Sequence, residues 1–164
     1  MRKQKGFSLI ELLIVVAIIL IIAAIAVPNL LRSRMAANEA SAVGSLRTIN
    51  TAEVTYASTY PAIGYTGLAA LGGPVGCQPS QLFACIVDPA LSQAPNTKSG
   101  FVFTGVETVV ANQPSVAYVS TAIPQTCGTS GIRTFFSDAS FVIRYDGTGA
   151  PACPVATVNS TPIQ

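Results

Sequence analysis

From Leu12 to Val27 the chain runs sixteen residues, LLIVVAIILIIAAIAV, without one polar side chain. Extended back to Phe7 and on to Leu31, the segment is twenty-five residues, interrupted by little except Glu11 and Pro28. As a helix it would span roughly 37 Å, enough for a hydrocarbon core of about 30 Å. Arg2, Lys3 and Lys5 precede it, and this excess of positive charge predicts a cytoplasmic N-terminus with the remainder exported. A secretory signal peptide begins in the same way, but its apolar region is about 7–15 residues and ends at a small-residue cleavage site. Here the run is longer, and Ala24 to Val27 lead through Pro28 into a continuing helical pattern.

A plain membrane anchor accounts for that run but not for Glu11. A carboxylate at the centre of a membrane helix costs about 2.5–3.5 kcal/mol on insertion scales, and less near the interface. An ionisable group there points to a function and to a partner. The rest of the chain is electrically quiet. Beyond Leu31 six basic residues (Arg32, Arg34, Arg47, Lys98, Arg133, Arg144) face six acidic ones (Glu39, Glu53, Asp88, Glu107, Asp138, Asp146). A neutral body without a basic block argues against nucleic-acid binding through bulk charge. The absence of His removes the usual general base, which excludes ordinary Ser-His and Cys-His hydrolases.

The stretch KGFSLIELL, with Gly6, Phe7 and Glu11 ahead of the apolar run and Pro28 near its end, resembles the N-terminus of type IV prepilins and of the related pseudopilins of type II secretion. The resemblance covers about thirty residues, and the combination of four positions is specific. It implies cleavage between Gly6 and Phe7 by a prepilin peptidase, followed by N-methylation of the new amine of Phe7. It also implies that this amine meets the Glu11 carboxylate of a neighbouring subunit inside a bundle of apolar helices. Phe7 and Glu11 would thus be the assembly residues. No metal or cofactor is implied. The partners implied are the chain itself as a helical homopolymer, the peptidase, membrane lipid before assembly, and an inner-membrane assembly platform with its ATPase. The location implied is the inner membrane as a single-pass precursor, then an extracellular pilus or a periplasmic pseudopilus.

Pro28 sits inside what the pattern reads as one helix from Phe7 to about Tyr60. An interior proline removes a hydrogen bond and crowds the preceding turn. It either ends the helix at the membrane surface or, as the resemblance implies, kinks it. Past Pro28, Met35, Glu39, Ala42, Leu46, Ile49, Glu53, Tyr56 and Tyr60 recur at helical spacing, with Glu39 and Glu53 interrupting the stripe. Leu46, Ile49 and Tyr56 are expected to pack on a sheet. Arg32 and Arg34 read as headgroup or neighbour contacts. Tyr60-Pro61 ends the helix, and one helical turn is expected at Leu68 to Leu71. Gly100 to Glu107, Ser115 to Thr121 and Thr134 to Tyr145 alternate as strands do. The fold class expected is therefore α+β, a long helix over a small antiparallel sheet, in agreement with the pilin fold. The organisation expected is a leader at 1–6, an apolar assembly helix at 7–31, an amphipathic continuation at 32–60, and a loop-and-sheet domain at 61–164.

Cys77, Cys85, Cys127 and Cys153 all lie on the exported side, where disulfides persist. Four cysteines allow three pairings. Local closure favours Cys77–Cys85 and Cys127–Cys153, with loop-closure contributions of roughly 2.6 and 3.5 kcal/mol. The second resembles the C-terminal disulfide loop of many type IV pilins. Asp138 and Asp146, with Gly147 and Gly149, are too few oxygen ligands for calcium and read as turn formers. Asn159-Ser160-Thr161 has the form of a glycan acceptor but reads as a polar end. Tyr56, Tyr60 and Tyr65 read as core and inter-subunit packing.

Three functions compete. The chain is a pilus subunit, or a pseudopilin of a short periplasmic filament that drives secretion, or a membrane-anchored enzyme or binding module. The last needs a convergent polar site, and scattered single charges offer none, so no catalytic residue is assigned. The cysteine pairing is directly checkable by intact mass with and without reduction, followed by non-reducing peptide mapping. A Cys77–Cys85 and a Cys127–Cys153 peptide are expected; a Cys85–Cys127 peptide overturns the pairing.

Overall fold

A computed structural model describes residues 7–111, 113–147 and 153–163. The chain divides into two compact units at Arg34 and Met35. Helix α1, Leu9–Thr59, runs through Pro28 without ending, so the proline does not terminate the helix. In the first unit the long apolar side chains are exposed, from Phe7 at 83% to Leu31 at 43%. Among its described residues the long apolar side chains have no second element to pack on, as expected of a single helix whose every face is apolar.

The second unit is built around the remainder of α1. Ala42, Leu46, Ile49, Ala52 and Tyr56 are buried on one stripe, spaced at three and four residues, and carry the core with Phe101, Phe103, Ala122 and Phe135. Two single helical turns follow, α2 at Leu68–Leu71 and α3 at Pro89–Ser92. Asp88 starts α3, its carboxylate accepting the Ala90 N–H, a bond that holds this carboxyl below the usual range with help from Lys98. Six antiparallel strands come last: β1 Thr97–Lys98, β2 Phe101–Glu107, β3 Tyr118–Pro124, β4 Thr134–Asp138, β5 Arg144–Asp146 and β6 Thr161–Pro162. Their order in the sheet is their order in the chain.

Register follows from the alternation of the strands. Phe103 pairs with Ala122 and Ala122 with Phe135, so large and small side chains interleave beneath the helix. Gly105 belongs to the same face; a Cβ there would stand 2.6 Å from Leu68 Cγ. The α+β architecture expected from the sequence is present, with α2 at its expected residues. Two strands differ. The expected Ser115–Thr121 strand begins instead at Tyr118 and continues to Pro124. Ser115 is drawn away because its N–H donates to Ile63 O and its carbonyl accepts the Tyr65 N–H. Gly64 permits this approach with φ +80°, where a Cβ would lie 2.1 Å from Ser115 O.

The expected single strand from Thr134 to Tyr145 is two strands. Asp138 breaks it by accepting the Ser140 N–H and hydroxyl with its carboxylate, and the Phe141 N–H with its backbone oxygen. Phe141 takes φ 61° in that turn, and Arg144 returns to pair with Asp138 at 3.8 Å.

Polar side chains fasten the helix to what it covers. Asn50 donates to Ser137 Oγ at 2.8 Å and accepts from the Tyr118 hydroxyl at 2.8 Å, both inside the core. Glu39 accepts the N–H groups of Ile132 and Arg133 at 2.8 and 3.1 Å, with the Arg133 guanidinium 3.9 Å from its other oxygen. Arg133 also lies over the Tyr145 ring, 5.0 Å from its centre. Glu39→Ala leaves two backbone donors without their acceptor and is expected to lower stability by about 1–3 kcal/mol. Denaturant titration reads the loss, and amide exchange is expected to rise at Ile132 and Arg133 while the β2–β3 amides hold.

Candidate functional site

The N-terminal segment is where the sequence places its chemistry, and the geometry there is simple. Ser8 precedes the first helical residue, and Glu11 sits three positions on. The Ser8 N–H donates to Glu11 Oε2 at 2.8 Å, which is one half of a capping box. Glu11 thereby satisfies one of the helix's open backbone donors and places negative charge in the first turn, where the helix dipole favours it. Both Phe7 and Glu11 are exposed. Gly6 lies outside the described residues.

Past Glu11 the helix presents only hydrocarbon. Ile18, Ile19, Leu20 and Ile21, which succeed one another around the whole circumference, are each more than half exposed. Apolar surface of this extent is covered in any stable state, by lipid or by other helices. The helix is long and apolar enough to cross a membrane. Pro28 lacks an N–H, so the Ala24 carbonyl, four residues earlier, has no helical donor.

Elsewhere the structure brings the cysteines together in pairs. Cys77 is joined to Cys85 across a Cα separation of 6.2 Å, and Cys127 to Cys153 across 5.8 Å. The second bond encloses β4 and β5 and returns the chain beside them. Thr134 Oγ1 donates to Pro154 O and accepts the Ala156 N–H, so the C-terminal segment is tied to β4. Asp138 organises its turn, and among the described residues no three of His, Cys, Asp or Glu gather as a metal site. Asn159 is exposed beside the Thr157–Ser160 turn. Tyr56 is buried against Tyr60, with ring centres 4.9 Å apart, and Tyr65 meets Tyr118 at 5.0 Å.

Two residues stand apart from the sequence reading. Glu39 and Glu53, which interrupt the apolar stripe of the helix, are both acceptors for backbone N–H groups of distant loops. Glu53 is 1% exposed and receives the Thr66 N–H at 3.0 Å. Burial, together with the nearby Glu107 charge, pushes its carboxyl up to about 7, against the pull of the Thr66 bond. The signal available in the sequence was their position: a carboxylate at a core-facing helical site needs a donor.

The sequence matches the prokaryotic N-terminal methylation motif over residues 1–27. It is similar to the "Type IV wide pilus major component PilA4" of Thermus thermophilus, 64% identical over 39 residues, which are 24% of this chain and 30% of that protein. It is also similar to the "Type IV major pilin protein PilA" of Myxococcus xanthus, 43% identical over 56 residues, 34% of this chain and 26% of that protein. The chain thus spans less than a third of the length of these curated relatives. No solved structure matches. The methylation motif, the apolar helix that follows it and these two likenesses make the N-terminal segment of this chain similar to that of type IV pilins.

Proposed function

We propose that this chain is the structural subunit of a type IV pilus, a major pilin. A prepilin peptidase cuts it between Gly6 and Phe7 and methylates the new amine of Phe7. The observation that carries the reading is the helix from Leu9 onward, apolar on every face and exposed, with a single carboxylate in its first turn. Residues 1–6 are the leader, 7–31 the membrane and assembly helix, 32–60 its amphipathic continuation, and 61–164 the exported domain. The precursor spans the inner membrane once, N-terminus inside, before an assembly platform and its ATPase move it into an extracellular filament.

The mechanism is assembly rather than catalysis. Cleavage removes Arg2, Lys3 and Lys5 and creates a cation four residues from Glu11. In the filament that amine meets the Glu11 carboxylate of a neighbour, in surroundings where breaking a buried pair costs about 3–5 kcal/mol. Glu11 sets register, and the aliphatic side chains from Leu12 to Val27 supply adhesion. Before a neighbour arrives, the Ser8 N–H gives Glu11 a partner within its own chain. At Pro28 the helix bends, because the free Ala24 carbonyl and the proline ring loosen that turn.

Shearing cells at native expression and labelling with an antibody to the exported domain tests the reading. Filaments labelled along their shafts are expected in electron micrographs. Protein held in the membrane fraction, with no labelled shaft, overturns the major pilin in favour of the pseudopilin or a minor subunit. Glu11→Ala is expected to insert in the membrane at normal level and give no filaments; normal filament yield from it rejects the role of Glu11.

A further inference from the structure

Glu53 is the buried charge that assembly does not use. It projects from the helix into the core of the second unit, 1% exposed, and its carboxylate receives the Thr66 N–H at 3.0 Å. Glu107, at the end of β2, reaches the same place from the sheet: a Cβ on Gly67 would stand 2.9 Å from its Oε2. Two carboxylates therefore converge on one dipeptide, Thr66-Gly67. The other ionisable groups that act with Glu53 are phenols, Tyr56 from the same helix and Tyr118 from β3, with Tyr65 of the loop set against Tyr118. Burial and the Glu53 charge both push those phenols up, so they stay neutral. Among the described residues no Lys or Arg forms an ion pair with Glu53.

A buried carboxylate with an acidic neighbour and no cation is stable when neutral and unstable when charged. Thr66-Gly67 lies between two anchored stretches, the Gly64–Ser115 contact and the core residues Leu68 and Leu71 of α2, and the Thr66 N–H has Glu53 as its acceptor. The Tyr65 N–H reaches Ser115 O at 3.0 Å and the Gly64 N–H reaches Tyr60 O at 3.1 Å. Beyond Gly67 the chain goes on through α2 to the loop closed by Cys77 and Cys85, where Val75 and Leu82 are 91% and 75% exposed.

We propose that Glu53 is a proton-operated latch on this junction. Neutral, it seats Thr66-Gly67 between the helix and the end of β2. Ionised beside Glu107, it releases that segment, and water enters to solvate the carboxylate. The Thr66-Gly67 junction, through which the chain enters α2, is thereby held at mildly acid pH and loosened at alkaline pH.

The sign follows from proton binding. A carboxyl held near 7 in the seated state and near 4.5 once open binds more protons when seated. Seating is therefore strongest below about 4.5 and is lost as pH rises through about 7. Between pH 5.5 and 8.0 the open fraction is expected to rise by about tenfold or more.

Amide hydrogen exchange of the full chain in detergent micelles, followed by NMR and corrected for intrinsic rates, tests this. At Tyr65 and Thr66, protection is expected to fall by about tenfold or more from pH 5.5 to 8.0. It should also lie below that of Phe103 and Ala122 at both pH values. Glu53→Gln, which keeps an oxygen for the Thr66 N–H, is expected to give flat protection. Glu107→Gln is expected to give a smaller loss that levels off at lower pH, and it tests the latch even where Glu53→Gln does not fold. Protection at Tyr65 and Thr66 equal to that of the core strands overturns the proposal, because the segment then opens only with the whole domain. So does a flat wild-type profile, or a pH dependence that survives in Glu53→Gln.

Discussion

The constraint on which the rest depends is that a helix with hydrocarbon on every side has no stable state alone in water. Between Leu12 and Val27 there is no polar face to turn outward, and no second element of the same unit to turn inward toward. Whatever covers this surface has to be as apolar as it is, which leaves lipid or copies of the same helix. Neither supplies direction. Dispersion between aliphatic side chains is insensitive to a shift of one turn, so register has to come from a polar group. Glu11 is the one acidic side chain of the apolar segment, and in the first turn it is satisfied locally by the Ser8 N–H.

The second unit solves the opposite problem. Its helix has one apolar stripe, and the six-stranded sheet gives that stripe a matching surface of alternating aromatic and small residues. Hydrophobic contact of this kind does not specify how the helix is rotated or how far it slides. Asn50, Glu39 and Glu53 do, because each carries an oxygen that a particular backbone or hydroxyl donor must reach. The three lie on the helix at spacings of eleven and three residues and engage β3 and β4, the entry to β4, and the loop before α2. Among the described residues, only Ser120 Oγ is a buried side-chain polar atom without a partner.

Much of this was legible before the structure, and the parts that were not share a cause. Periodicity located the stripe of Leu46, Ile49 and Tyr56, the turn at Leu68, and the strand ending at Glu107, since each depends on neighbours within a few residues. It failed where a polar side chain answers to something distant. Glu39 reads as a flaw in an amphipathic helix because its donors, Ile132 and Arg133, lie more than ninety residues away. Ser115 reads as the start of a strand because its attachment to Ile63 and Tyr65 involves another part of the chain. Asp138 was legible as a turn former, as its bonds to Ser140 and Phe141 show, but the hydrophobic alternation on either side of it reads as one strand running through the turn. At the N-terminus the situation reverses: Gly6, Phe7, Glu11 and Pro28 form a recognisable spacing, while the work proposed for them involves a peptidase or a neighbour that no single chain contains.

That the sheet's spatial order is its chain order has a consequence for change over evolutionary time. Every strand from β1 to β6 is hydrogen-bonded to the one before it, so each connection has only to turn back on itself. A connection of that kind can be lengthened, shortened or rewritten without displacing any strand but its own pair. The segments between β2 and β3, and between β5 and β6, are each fastened elsewhere as well, the first by Ser115 to Ile63 and Tyr65 and the second by Pro154 and Ala156 to Thr134. Selection can revise one of them at a time provided those fastenings are kept, and the stripe of α1 against the sheet is unaffected.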